Sequence, residues 1–169
     1  MGDDGGMTEQ SADHGPFLDR CVELAREALD AGDDPFGSVL VSGDGRVLAE
    51  ARNKEQTSAD PTAHPELELA IWANRNLSLD ERAATTVYTS GEHCPMCAAA
   101  HGWVGLGPIV FAASTTQLTA WRASWGLPDS PVASLPASVV LPGTTVLGPV
   151  SPYDELMMPI HQEAAARRA

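Results

Sequence analysis

A chain of 169 residues, 43% hydrophobic and 20% charged, is long enough to bury one sizeable core and too apolar to be a disordered or collagen-like polymer. Ten Lys and Arg against 23 Asp and Glu leave a net charge of -13, a field that repels a phosphate backbone and disfavours nucleic acid as a partner. The longest apolar stretch, Trp103 to Ala113, is broken by Gly105, Gly107 and Pro108 and falls short of the roughly 18 apolar residues a membrane span needs, so no membrane contact is expected.

MGDDGGMTEQ lacks the basic and then apolar order of a secretory signal, which points to the cytoplasm. Residues 1–14 are rich in Gly and Asp without apolar periodicity and read as a flexible tail, leaving 15–169 as a single domain. From Pro16, the residues Phe17, Leu18, Cys21, Val22, Leu24, Ala25, Ala28 and Leu29 recur at mostly helical spacing until Gly32 supplies a stop. Cys21 falls on that apolar face and reads as a small buried hydrophobe. FGSVLVS (36–42) and RVLAEAR (46–52), joined by Gly43-Asp44-Gly45, form a β-hairpin. After a polar loop, Pro65 and the apolar positions Leu67 to Ala73 give a second helix. Strands are expected at 85–89 and 109–113, with a third helix from Pro95 to about Trp103 between them. Beyond these come a short helix at 117–125, a Pro-rich stretch, a strand at 144–147 and a final helical segment from Tyr153. The order β-β-α-β-α-β implies a mixed sheet of about five strands covered by helices on both faces, a three-layer α/β/α sandwich.

Two segments carry chemistry, each where a helix should begin: His64-Pro65-Glu66 and Cys94-Pro95-Met96-Cys97. One imidazole and two thiolates are three borderline or soft ligands, the number a catalytic zinc uses while keeping a fourth position for water. Glu66, in the same first turn as His64, suits a base that takes a proton from zinc-bound water, whose pKa falls to about 7. Taken alone, C-x-x-C also fits redox sites and structural zinc ribbons, and H-x-E alone is weaker still. Together, with Cys94 lying 30 positions after His64, they are far more specific.

On these residues the chain resembles the cytidine deaminase-like superfamily of zinc-dependent deaminases, over about residues 16 to 150. DPTAHPE (60–66) and CPMCAAA (94–100) are similar to the branch that holds guanine deaminases and tRNA adenosine deaminases. The resemblance implies that His64, Cys94 and Cys97 hold Zn2+. It also implies that Glu66 shuttles protons, and that Asn53, Trp103 and the loop residue Ala63 contact substrate. Two departures stand out: Pro65 replaces a small residue between His and Glu, and His93 replaces the Pro before the first Cys. His93 is therefore a candidate substrate contact, with a merely structural histidine as the alternative. His101 reads as a hydrogen-bonded helix histidine, while His14 belongs to the tail and His161 to the last helix. Trp72, Trp121 and Trp125 read as core or interface, and Asp154 and Glu155 as a solvated helix start. The alternative for Asp154 and Glu155, implied by the resemblance to purine deaminases, is a carboxylate that pairs with the amidine-like edge of guanine.

The resemblance further implies a hydrolase that releases ammonia from a small-molecule aminated purine of guanine or guanosine type, working as a homodimer. A cytosine or cytidine type, or another amino-heterocycle, is the alternative. A tRNA adenosine deaminase fits the charge poorly, and a non-catalytic zinc-binding domain gives Glu66 no role.

Overall fold

The structure, a computed structural model, describes residues 13–168. The expected tail therefore lies mostly outside the described residues. Its last position, His14, is fastened: it caps the first helix, and its Nδ1 lies 3.0 Å from the Tyr88 hydroxyl.

The hairpin is formed by β1 (Gly37–Val41) and β2 (Val47–Arg52), paired antiparallel with a bulge at Leu40/Val41. β1 also pairs antiparallel with β3 (Thr86–Gly91), which runs parallel to β4 (Ile109–Ala113); β4 in turn pairs parallel with the two-residue β5 (Val146–Leu147). The order β2-β1-β3-β4-β5 is the mixed five-strand sheet that the sequence implies.

Alternation along the strands builds two cores. Val39, Val41, Tyr88, Val110 and Ala112 face α1 (Gly15–Ala31) and the C-terminal helix (Tyr153–Ala166), meeting Leu18, Leu24, Met157 and Ile160. On the other face, Leu40 and Val87 pack on Leu69, Ala70 and Ala73 of α2 (Pro65–Asn76). Ile109 and Phe111 meet Ala98, from the helix that follows β3, together with Ala137 and Leu141. The result is three layers, α/β/α. Cys21 is fully buried in the first core, and burial pushes its thiol pKa well up, so it is the inert hydrophobe its position suggests.

Local capping explains where the helices differ from expectation. A short helix, α3 (Leu79–Ala83), follows α2 and is nucleated by a capping box in which Ser78 and Glu81 satisfy each other's backbone N–H. The helix after β3, α4 (Pro95–Val104), opens on Cys94 and ends at Gly105 with φ 76°. α5 (Thr115–Ser124) begins two residues earlier than the apolar pattern indicates, because Ser114 and Gln117 form a second capping box. The Pro-rich stretch holds one turn of helix, α6 (Ala137–Val140), and the final helix is α7.

The α7 packing makes stability pH-dependent. His161 is buried, its ring 5.0 Å from that of Phe36 and 6.1 Å from that of Trp121; burial and then the Arg122 charge bring its pKa down to about 4. The unfolded chain, with histidine near 6.5, binds this proton first. Its contribution is therefore full above about pH 6.5 and is lost as the pH falls toward 4, about 3 kcal/mol in all. Urea unfolding between pH 7 and pH 4.5 should show wild type losing more stability than His161→Met; parallel losses would contradict this origin.

Candidate metal centre and active-site cleft

Two helix starts deliver the donors. His64 precedes α2 in an extended conformation (ψ 141°), and Pro65 at the first helical position costs no hydrogen bond, because that N–H has no intrahelical partner. Cys94 precedes α4 in the same way (ψ 165°), and Cys97 lies one turn in. This brings His64 Nδ1 to 3.6 Å from Cys94 Sγ and 3.5 Å from Cys97 Sγ, with all three donor atoms within 4.8 Å of one another.

These spacings test the fit of zinc. Bonds of about 2.3 Å to sulfur and 2.0–2.1 Å to nitrogen, at a tetrahedral angle, place N and S about 3.5–3.6 Å apart. The residues fit the ion. The field splits the two thiols: hydrogen bonds to Cys97 and His64 bring Cys94 down to about 4, its thiolate and burial push Cys97 up, and the Cys94 thiolate and Glu55 raise His64 to about 10. A place that holds a positive imidazole this firmly attracts a cation, and thiolate is the form that binds metal.

Behind the trio lies a chain of polar contacts. Glu55 Oε1 stands 3.7 Å from His64 Nε2, so that Nδ1 is the nitrogen turned to the sulfurs. Asn53 holds Glu55 in place, donating from Nδ2 to Oε2 at 2.6 Å and accepting the Glu55 N–H at 3.0 Å. Such carboxylate–histidine pairs set ring orientation and ligand basicity. Glu66 is 6% exposed, and burial lifts its carboxyl to about 7. Its Oε1 lies 3.0 Å from the Thr89 hydroxyl, which also lies 2.9 Å from the Gly91 carbonyl and accepts a hydrogen bond from Ser38. Thr89 has one proton to give. It serves Glu66 when the carboxylate is ionised, and the Gly91 carbonyl when Glu66 is protonated and donates instead.

The donors open onto a cleft of about 780 Å³. Phe36 forms its aromatic wall and sits over Gly91, where an added Cβ would lie 2.9 Å from the ring. Glu92, also lining the cleft, accepts the backbone N–H of Thr115 at the start of α5 and of Ala137 at the start of α6, both at 2.8 Å. It thereby ties the start of α5 to the start of α6, the two helices that flank the segment 127–134, which forms the outer wall.

The structure brings together His64, Glu66, Cys94 and Cys97. The expected substrate contacts do not line the cleft. Trp103 is 89% exposed near the end of α4, because the helix turns that position away from both core and cleft. His93 is buried edge-on to His101 with ring centroids 5.2 Å apart, and it does not line the cleft. Asn53 and Ala63 are committed inside the loop before α2: Asn53 to Glu55, and the Ala63 carbonyl to the Lys54 N–H. His101 donates from Nε2 to the Gly107 carbonyl at 2.8 Å, the bonded helix histidine expected. Asp154 accepts from Gln117 and lies outside the cleft. Phe36, Glu55, Thr89 and Glu92 escape sequence reasoning because each sits in a strand or loop pattern with no spacing of its own. A Glu at position 92, two residues before a ligand, was the one available signal.

An α/β/α sandwich that places one imidazole, two thiols and a buried carboxylate at adjoining helix starts defines a zinc-dependent hydrolytic deaminase. Residues 11–113 match the model of the cytidine and deoxycytidylate deaminase zinc-binding region, and the chain belongs to that family. It is 41% identical over 118 residues to guanine deaminase of Bacillus subtilis, covering 69% of this chain and 72% of that one. It is 32% identical over 97 residues to the tRNA-specific adenosine deaminase of Agrobacterium fabrum, covering 57% and 63%. The crystal structure of a guanine deaminase from Nitrosomonas europaea superposes with a TM-score of 0.70 at 21% identity, covering 89% of this chain and 83% of that one. At that identity the likeness concerns the fold.

Proposed function

We propose that the chain deaminates an aminated purine base or nucleoside of guanine type, with His64, Cys94 and Cys97 as zinc ligands and Glu66 as the proton carrier. The observation that carries this reading is Glu66 buried beside the donor trio, in a chain whose likeness to a guanine deaminase extends over most of its length.

Zinc, when bound, supplies a Lewis acid that lowers the pKa of a water molecule to near 7. The protein's own groups do the rest. Glu66 takes the proton of the attacking water and passes it to a ring nitrogen, then moves a second to the amino group that leaves as ammonia. A carboxyl poised near neutrality is suited to give and take. Thr89 keeps Glu66 aimed in both states, Glu55 holds the His64 ring, and the face of Phe36 offers a planar heterocycle an apolar surface to stack on.

The test is ammonia release by zinc-loaded protein from guanine, guanosine, adenine, adenosine, cytosine and cytidine. Release from guanine or guanosine is expected; release from cytosine or cytidine alone would overturn the purine assignment. The likeness to a tRNA-specific adenosine deaminase supports a second reading, against which stands the net charge of -13.

We also place the protein in the cytoplasm, where its thiols stay reduced, as a homodimer. Trp103, at 89% exposed on α4, and Val139, at 61% on α6, offer an apolar surface for self-association. Sedimentation showing only a 17.8 kDa species would refute the dimer.

A further inference from the structure

The cleft is larger than its chemistry requires. About 780 Å³ is the size of site that encloses a drug-sized molecule, several times the volume of a bare purine ring. One wall is α5, which turns Thr115, Leu118, Thr119 and Arg122 toward the cleft at helical spacing. The near end of this stripe is tied to the segment that leads into the Cys94 turn, because the Thr115 N–H is bonded to Glu92, two residues before Cys94. Seven residues at 1.5 Å each put Arg122 about 10 Å further along. A bare purine ring is shorter than this stripe, whereas a purine carrying a pentose and a 5′ substituent is long enough to span it.

Arg122 is one of three arginines, with Arg75 and Arg82, that hold no carboxylate among the described residues. Nearby basic side chains are taken by carboxylates: Arg52 by Asp33, Lys54 by Glu68 and Arg168 by Asp34. Among the described residues Arg122 holds no carboxylate, and its side chain's one acceptor is the Pro128 carbonyl at 3.2 Å. The inner acids of the cleft are already committed, Glu55 to Asn53 and His64, Glu66 to Thr89, and Glu92 to two backbone N–H groups. Asp129, the remaining acid, is exposed at the rim. Arg122 is half-buried where the cleft meets a second hollow lined by Asp34, His161 and Arg168, and it keeps donors free to receive oxygen ligands in a fork.

We infer that Arg122 forms an outer subsite for the 5′-phosphate of a purine nucleotide, so that the substrate is held at two ends, its base at the metal centre and its phosphate at α5. This deepens the purine reading above and rests on it.

Two measurements separate the two claims. The first uses ribose 5-phosphate as a probe in calorimetric titration of the zinc-loaded protein and of Arg122→Gln, and needs no turnover. Binding to wild type that weakens at least tenfold in the variant is expected; no binding, or equal binding to both, overturns the subsite whatever the enzyme deaminates. The second compares kcat/KM for guanine and for guanosine 5′-monophosphate. Arg122→Gln should cut the nucleotide-to-base ratio tenfold or more, mainly through KM, and Arg122→Lys should restore part of it. Turnover of guanine with an unchanged ratio overturns the subsite and leaves the purine reading standing. Arginine-dependent probe binding with no turnover of either purine upholds the anion site while removing the purine assignment. Circular dichroism of each variant establishes that α5 has kept its fold.

Discussion

Glu66→Gln is expected to lower kcat for deamination by about 10²- to 10⁴-fold, the contribution of a positioned general acid–base group, while zinc stays at one per chain. Gln has the shape of Glu, and its carbonyl oxygen can still accept from Thr89, so the loss isolates proton transfer from packing. KM should change little, because the carboxylate acts on the water and on the reacting nitrogen more than on the resting base. Metal analysis and steady-state kinetics on one preparation decide it. A variant that retained most of its turnover would show that some other group carries the protons. A variant that lost zinc would show that Glu66 shapes the metal site. The expectation depends on burial as well as on identity, since at 6% exposure the carboxyl is removed from solvent and held in one orientation.

Gly37→Ala should destabilise the fold by about 3 kcal/mol or more, at the upper end of what overpacking costs. A Cβ at this position would lie 2.3 Å from Leu24 Cβ, 2.7 Å from the Cys21 carbonyl oxygen and 2.8 Å from the Ala25 nitrogen. Two of these are backbone atoms of α1 and cannot turn aside. Relief would need α1 to lift from β1, opening the core formed by Leu18, Leu24, Val39 and Val41. Gly143→Ala is the matched control, with nothing within 4 Å of the added carbon, and should leave the midpoint of thermal or urea unfolding nearly unchanged. Equal effects from the two substitutions would mean that α1 sits less tightly on the sheet than these distances imply.

The metal donors and the cleft beside them are built from parts that are far apart in the chain. Phe36 comes from the end of the loop after α1, Glu55 and His64 from the loop before α2, Cys94 and Cys97 from the start of α4, and Arg122 from α5. Glu92, two residues before Cys94, accepts from the starts of α5 and α6, so one carboxylate joins the segment leading to the donors with the helices that flank the outer wall.

What was legible in the sequence is what short-range chemistry dictates. Helix and strand periods along 15–113, Pro at helix starts and Gly at their ends placed α1, β1 to β4, α2 and α4 within a few residues, because each is set by neighbours in the chain. The boundary of α5 and the presence of α3 were legible as well, in Ser114-x-x-Gln117 and Ser78-x-x-Glu81, signals that a reading of apolar periodicity alone passes over. The metal trio and Glu66 were legible because zinc chemistry demands particular atoms at particular spacings, and few other uses combine H-x-E with C-x-x-C.

The substrate side was decided by tertiary structure. Trp103 has the right residue type and lies six residues after Cys97, yet the rotation of α4 turns it to solvent at 89% exposure, and Phe36, with no motif around it, takes the aromatic wall. His93 sits beside a ligand, yet it packs against His101 and does not line the cleft. Asn53 is close to His64 in the fold, yet it reaches the metal centre through Glu55. The physical reason is common to all three: a ligand set is specified by bonds of fixed length within two local turns, whereas a side chain's access to a cleft depends on helix rotation and on contacts from segments tens of residues away. By itself the sequence determined the metal donors, the carboxylate beside them and the layers of the fold. Which walls line the cleft, and that Arg122 stands beside it without a carboxylate, was decided only when those layers packed.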